Sequence, residues 1–317
     1  MNVLILDDYQ HGILALPCMA RLAGHQVTVF DRPIAEMPGA GAVLAAADAV
    51  IPMRERTRLD EAVLAQMPRL KHIAQTGKAG KHIDLQACKR RGITVSEGAG
   101  TAYAAAELAF LLVMAGLRNL VQEVAGLKDG HFGISFGRTL RGRTLGIVGY
   151  GKAGTLVARF ASGFGMQVLV YGSEASMARA TADGFTAVPD RTAFFTACDA
   201  VSLHLRLTPE TRGFIGEADL QQMKKDSLLV NTARAEIINQ PALLRALERN
   251  RPGLYAADVF MQEPPTLQSD PVIALKNVLA TPHIGYLDVD SFDLMVGSSI
   301  DNLLAFDAGK AQNLLAF

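Results

Sequence analysis

The hydrophobic and polar positions of this chain fall into two alternating series. In the first hundred residues, short runs rich in Val, Ile and Leu predict strands over 3–6, 26–30, 49–51, 72–75 and 94–95. Between them, apolar residues at helical spacing predict helices or helical turns over 14–22, 43–47, 59–66 and 85–91. Strand runs separated by helical patterns are the signature of a parallel sheet covered by helices. Residues 101–120 then predict one long apolar helix, followed by a loop rich in Gly and basic residues over 126–143. A second series starts at Thr144, with strands near 145–148, 167–171, 200–204, 228–231, 254–258 and 278–280. The tail, 291–306, predicts a helix with no strand of its own, expected to fold back onto the first unit and make that domain discontinuous.

Composition narrows the classes of function. Half the residues are hydrophobic and a fifth are charged, a globular composition, and 317 residues suffice for two domains with their own cores. Lys plus Arg (31) equals Asp plus Glu (31), so no net field draws the chain to nucleic acid or an anionic membrane. The opening run, Met1 to Asp8, is too short and too acidic for a signal peptide, and the apolar stretch 102–117 is broken by Glu107 and falls short of the ~20 residues of a membrane span. Cys18, Cys88 and Cys198 are far apart and form no CxxC pair. That usage fits a reducing cytoplasm and neither a disulfide scaffold nor a zinc site.

Gly149-Tyr150-Gly151-Lys152-Ala153-Gly154 matches GxGxxG. Here the first glycine makes the tight turn, the second admits a pyrophosphate to the backbone, and the third lets helix pack on strand, while the helix N-terminus offers free N–H groups. With 29 glycines in 317 residues the pattern arises by chance in about a quarter of such chains. Its context is more specific, because an apolar strand leads in and a helix with a Leu156/Val157/Phe160 stripe leads out. The next strand ends Tyr171-Gly172-Ser173-Glu174, with Gly172 where an acidic residue usually holds the ribose. Glu174 reaching the ribose favours NAD, whereas Ser173 with Arg179 suits the additional phosphate of NADP; the slight preference is for NAD.

Three strands of the second series run directly into polar residues: 228–231 into Thr232-Ala233-Arg234, 254–258 into Val259-Phe260-Met261-Gln262-Glu263-Pro264, and 278–280 into Thr281-Pro282-His283-Ile284-Gly285. Open α/β sheets place their ligand crevice at such strand ends. Together with the segment Leu140 to Gly149, with Leu203-His204 before Thr208-Pro209-Glu210-Thr211, and with Asn231 and Asp258 in the runs above, the chain resembles the D-isomer-specific 2-hydroxyacid dehydrogenase family over essentially its whole length. Phosphoglycerate dehydrogenases and glyoxylate/hydroxypyruvate reductases belong to that family.

The resemblance implies an α/β protein of two doubly wound parallel-sheet domains. A flavodoxin-like substrate domain would comprise residues 1–98 plus 289–317, and a Rossmann dinucleotide-binding domain residues 99–288, around a cleft with hinges near 98–101 and 286–290. It implies an oxidoreductase passing a hydride between NAD(P)H and a small 2-keto or D-2-hydroxy acid. Arg234 would grip the substrate carboxylate, His283 would exchange a proton with the carbonyl oxygen, and Glu263 would orient His283. No metal is required. The loop Gly77-Lys78-Ala79-Gly80 would offer N–H groups, chiefly from Ala79 and Gly80, to the substrate carboxylate, with Lys78 adding charge. Thr101, Thr232, Ala233, Asp258 and Gly285 would line the nicotinamide end, with His204 and Thr208 near the phosphates and adenosine. Two departures stand out: Arg206 replaces a common Pro, and Lys81-His82 replaces a Gly-Tyr-like pair. Formate dehydrogenases share the pattern but carry Gln where Glu263 stands. An NAD(H)-sensing binding protein of the same fold is the alternative reading. The apolar 101–120 helix suggests burial against a second subunit, hence a homodimer.

Overall fold

The computed structural model describes residues 1–317, which divide into two units, Met1–Thr101 with Leu287–Phe317 and Ala102–Tyr286. Each unit is built on one parallel sheet.

In the first unit the strands are β1 (Asn2–Ile5), β2 (Gln26–Val29), β3 (Ala49–Ile51), β4 (His72–Gln75) and β5 (Thr94–Glu97), in the order β2-β1-β3-β4-β5. All of β3 and β4 is buried, so these runs lack the in–out alternation of a half-exposed strand. His72 is tolerated there because both ring nitrogens are satisfied, Nδ1 by Thr94 Oγ1 at 2.8 Å and Nε2 by Ser96 Oγ at 3.0 Å, and the ring stacks on Phe306. Burial pulls its pKa down to about 4, so this imidazole stays neutral in the core. The tail helix Val289–Asp307 packs on β4 and β5, and the last residues add an antiparallel bridge, with Leu314 opposite Ser96 and Leu315 N donating to Val95 O.

Several helical expectations in this unit are corrected. Residues 14–22 form two 3-10 turns, Ile13–Ala15 and Pro17–Leu22, because Pro17 has no N–H to continue a helix and instead starts a new one. The helix expected over 43–47 runs from Ala40 to Ala46. The stretch 59–66 holds only Glu61–Leu64, whose first N–H groups, on Ala62 and Val63, are capped by Asp60.

The second unit has β6 (Thr144–Val148), β7 (Gln167–Tyr171), β8 (Thr186–Ala187), β9 (Ala200–Leu203), β10 (Leu228–Asn231), β11 (Leu254–Ala257) and β12 (Val278–Ala280). Their order is β12-β11-β10-β9-β6-β7-β8, so the winding reverses at β6, with β7 on one side and β9 on the other. Two-residue β8 has no signal in the hydrophobic pattern. The long helix expected over 101–120 is two, Tyr103–Leu117 and Leu120–Lys128, bent by 61° where Asn119 takes φ 51.

That bend changes the meaning of the apolar surface. Ala109, Phe110, Val113 and Gly116 of the first helix are buried, and the helix packs on β10, β11 and the helix Lys152–Gly163 of its own unit. The sheet beneath accounts for most of the apolar face of this helix, while its Tyr103 and Leu111 are exposed. More exposed apolar side chains lie on the following segment, at Leu120, Val121, Val124, Leu127, Phe132 and Phe136. No single helix is long and apolar enough to cross a membrane.

Candidate active site

Strands β10, β11 and β12 are neighbours in register, Asn231 beside Ala257 and Ala257 beside Ala280. The chain therefore leaves the sheet at one level on three adjacent strands, and Arg234, Glu263 and His283 all lie on the segments that follow. After β10, buried Asn231 folds the turn around itself. Its Oδ1 accepts from Ala233 N at 3.0 Å and its Nδ2 donates to Arg234 O at 3.0 Å. Arg234 emerges extended, at φ −148 and ψ 140, with Nη1 donating to Ala233 O at 2.7 Å.

Asp258, immediately past β11 and 1% exposed, fixes the segment after β12. Its Oδ1 accepts from Thr281 Oγ1 at 2.6 Å and Ile284 N at 2.8 Å, and its Oδ2 accepts from Gly285 N at 2.8 Å. Burial raises the Asp258 pKa, against the pull of these donors and of His283. Between the anchored residues, His283 takes the left-handed conformation at φ 52, with its N–H donating to Thr281 O at 2.9 Å. Such a backbone costs on the order of 1–3 kcal/mol and persists only where its surroundings over-determine it.

The His283 ring meets Glu263, with Nδ1 2.6 Å from Oε2, while Glu263 Oε1 accepts from Phe260 N at 3.2 Å. Tyr286 packs edge-on against the imidazole at 5.7 Å. Burial pushes the Glu263 carboxyl upward, but the hydrogen bond and charge of His283, the Phe260 amide and the charge of Arg234 outweigh it and hold the group below its ordinary value. His283 Nε2 has no hydrogen-bond partner within the protein. A half-buried imidazole with one nitrogen on a carboxylate and the other open can deliver or take up a proton.

The glycine turn sits where the winding reverses. Gly149 has φ 92, and a Cβ there would stand 2.9 Å from His204 O; on Gly154 it would stand 2.2 Å from Gly149 O. Neither position accepts a side chain. Gly151 faces open space and leads into Lys152, Ala153 and Gly154, the first turn of the helix Lys152–Gly163. His204, just past β9, has a buried Nε2 without a partner, and burial lowers its pKa to about 4. An open cradle of free N–H groups beside an orphaned neutral imidazole nitrogen fits the phosphates of a dinucleotide. Thr208 is spent locally, its N donating to Thr211 Oγ1 at 2.7 Å, and the same hydroxyl donates to Arg206 O.

Past β7, Gly172 carries no acid. Ser173 caps the helix Glu174–Ala182 through Ser176 N at 3.3 Å, and Glu174 is its exposed first residue. Arg179 Nη2 reaches back to Tyr150 O in the glycine turn at 3.0 Å and to Ser176 Oγ at 3.1 Å.

In the first unit the loop after β4 differs from expectation. Ala79 N is not open but donates to Glu97 Oε1 at 2.9 Å, and Lys78 Nζ is ion-paired with Glu97 Oε2. Gly80 lies against the Glu55 carboxyl and His82. Thr101 is the exposed last residue of this stretch of the unit. The sequence reading missed Glu97, Asp258 as an anchor, and Tyr150, whose buried ring ends in a hydroxyl donating to Asp183 at 2.7 Å. Each pairs residues far apart in the chain, a distance that local spacing does not report.

A glycine cradle at the reversal point of a parallel sheet, with a carboxylate-backed imidazole past its last strand, defines a dinucleotide-dependent oxidoreductase. The chain belongs to the D-isomer specific 2-hydroxyacid dehydrogenase family, and residues 110–285 match that family's NAD binding domain. It is 35% identical over 259 residues to a glyoxylate reductase of Korarchaeum cryptofilum, covering 80% of this chain and 77% of the relative. The crystal structure of a phosphoglycerate oxidoreductase from Vibrio cholerae superposes with a TM-score of 0.91 at 41% identity, over 98% of this chain and 99% of that one. D-lactate dehydrogenase from Aquifex aeolicus, solved with NAD and lactic acid, superposes with a TM-score of 0.78 at 26% identity, over 98% and 96% of the two chains.

Proposed function

We propose that the protein reduces a small 2-keto acid to the D-2-hydroxy acid, and runs the reverse reaction, with Arg234, Glu263 and His283 as its reacting and orienting groups. The observation that carries this reading is the 2.6 Å contact between His283 Nδ1 and Glu263, which leaves Nε2 to face a substrate oxygen. When bound, the nicotinamide supplies the hydride or accepts it. Arg234 holds the substrate carboxylate with its two-pronged guanidinium. In reduction, His283 gives the Nε2 proton to the oxygen on C2; in oxidation it takes that proton back. Glu263 fixes the tautomer and stabilises the imidazolium. In the first unit, Ala79 N and the Lys78 charge of the Gly77–Gly80 loop, held by Glu97 in the free chain, are the groups that a substrate carboxylate would take up.

The missing acid at Gly172, together with Arg179, Ser173 and Ser176, supports use of NADPH as well as NADH. The test is cofactor oxidation followed by absorbance with glyoxylate, hydroxypyruvate and pyruvate. Turnover of at least one keto acid is expected with both cofactors, and Arg179→Ala should raise KM for NADPH by about tenfold, the loss of one charge-assisted contact, while sparing NADH. No turnover alongside normal cofactor binding would point to the NAD(H)-sensing alternative.

The exposed apolar side chains between Leu120 and Phe136 support a homodimer, since symmetric self-association is the commonest way to cover such a patch. Light scattering should return about twice the 33.9 kDa chain mass, and a monomer at micromolar concentration would remove this part of the reading. The buried, unpaired Cys18, Cys88 and Cys198 fit a reducing compartment such as the cytoplasm.

A further inference from the structure

The loop after β4 is already holding a carboxylate. Glu97, the last residue of β5, points both side-chain oxygens at it, Oε1 accepting from Ala79 N at 2.9 Å and Oε2 pairing with Lys78 Nζ. Its backbone is pinned on both sides: its N donates to Asn313 O at 3.0 Å, and its O accepts from Asn302 Nδ2 at 2.9 Å. Asn313 Nδ2 in turn donates to Asn302 Oδ1 at 2.8 Å. The side chain is 16% exposed while Lys78 is 79% exposed, so the carboxylate lies under the loop and the ammonium lies towards water. With the backbone held, side-chain rotation is the movement left to Glu97.

We propose that Glu97 is an internal carboxylate that occupies the loop's anion site and has to be displaced by the substrate's own carboxylate, so that it sets KM for the keto acid. This rests on the reading above that the loop binds the substrate carboxylate. One N–H serves one acceptor well, and a second carboxylate brought within about 4–6 Å of Glu97 is repelled by it. Substrate therefore binds against an interaction that the free protein already makes. Affinity is reduced by that competition, and the loop is kept ordered between turnovers.

The test is Glu97→Gln in the full chain with saturating cofactor. The amide keeps the size and one acceptor but removes the charge. KM for glyoxylate, and the inhibition constant of the unreactive monocarboxylate oxamate, should each fall by about tenfold, equivalent to ~1.4 kcal/mol released, with kcat little changed. An unchanged or raised KM with wild-type kcat would overturn the proposal and leave the proposed activity intact, because it would make Glu97 a support for the loop. If the wild-type chain turns over no keto acid, the activity reading fails instead, and amide exchange of residues 77–82 decides this point alone. Faster exchange in Glu97→Gln that oxamate slows again at a lower concentration than it needs in the wild type supports the proposal, and unchanged exchange or a higher oxamate requirement overturns it. Thermal unfolding should match wild type. If Glu97→Gln is unstable, Lys78→Met, which frees one of the two Glu97 oxygens, should likewise speed exchange at Ala79; unchanged exchange there overturns the proposal.

Discussion

Two loops of this protein have backbone amides anchored by a carboxylate at or just past the end of a neighbouring strand, and they are held very differently. The loop that carries His283, Thr281 to Gly285, is tied by Asp258, which is buried and spends both oxygens on donors that cannot leave: a hydroxyl and two backbone amides. The loop Gly77 to Gly80 is tied by Glu97 through one amide and one flexible, solvent-facing ammonium. A buried acceptor with fixed donors resists movement, because leaving any of them unpaired costs about 1–3 kcal/mol. An ion pair with an exposed lysine contributes only about 0–1 kcal/mol and can exchange partners. The first arrangement suits a residue that has to be aimed; the second suits a site that has to let go.

The sharpest way to break this comparison is to remove what the rigid loop carries. His283→Ala should cut kcat by about a hundred- to ten-thousand-fold, the range for a positioned acid–base group, with cofactor affinity unchanged in a fluorescence titration. Near-normal kcat would end the proposed role of His283. A smaller effect is expected from Asp258→Asn, which turns one acceptor into a donor facing the Gly285 or Ile284 amide. Unfolding by urea should show a loss of about 1–3 kcal/mol, and kcat should drop because His283 loses its aim. Wild-type stability in that variant would mean that the segment after β12 holds its shape without Asp258, and the contrast between the two loops would disappear.

How far these features could be read without coordinates follows from how local they are. Strands β3, β4, β7, β10 and β12 fall where their hydrophobic runs predict, because a buried parallel strand is a short unbroken apolar stretch bounded by polar turns. The parallel sheet covered by helices follows from that alternation, and the doubly wound arrangement in two domains from the family resemblance. Arg234, Glu263 and His283 were visible as polar residues just past strand ends, and the sheet register brings their strand ends to one level. The break at Asn119 was not visible, since a left-handed residue between two apolar helices leaves the 3.6-residue spacing almost undisturbed. Nor was β8, whose two residues carry no periodicity. The anchors were hidden for another reason: Asp258 acts on residues 23 to 27 positions away, and Glu97 on residues 18 and 19 positions back. A carboxylate just past a strand looks the same in the sequence whether it grips a loop, a ligand or water.

The unusual dihedral at position 283 also bears on how this lineage can change. Asparagine and glycine are at ease with positive φ, so either could replace the imidazole while the strand-to-helix connection around it kept its course. One codon change, from histidine to asparagine, would thus yield a chain that keeps its architecture and its nucleotide cradle but has lost the imidazole proposed as its proton donor. Descendants specialised for binding alone lie a single mutational step from an active ancestor, and the backbone at this position puts up little resistance to that step.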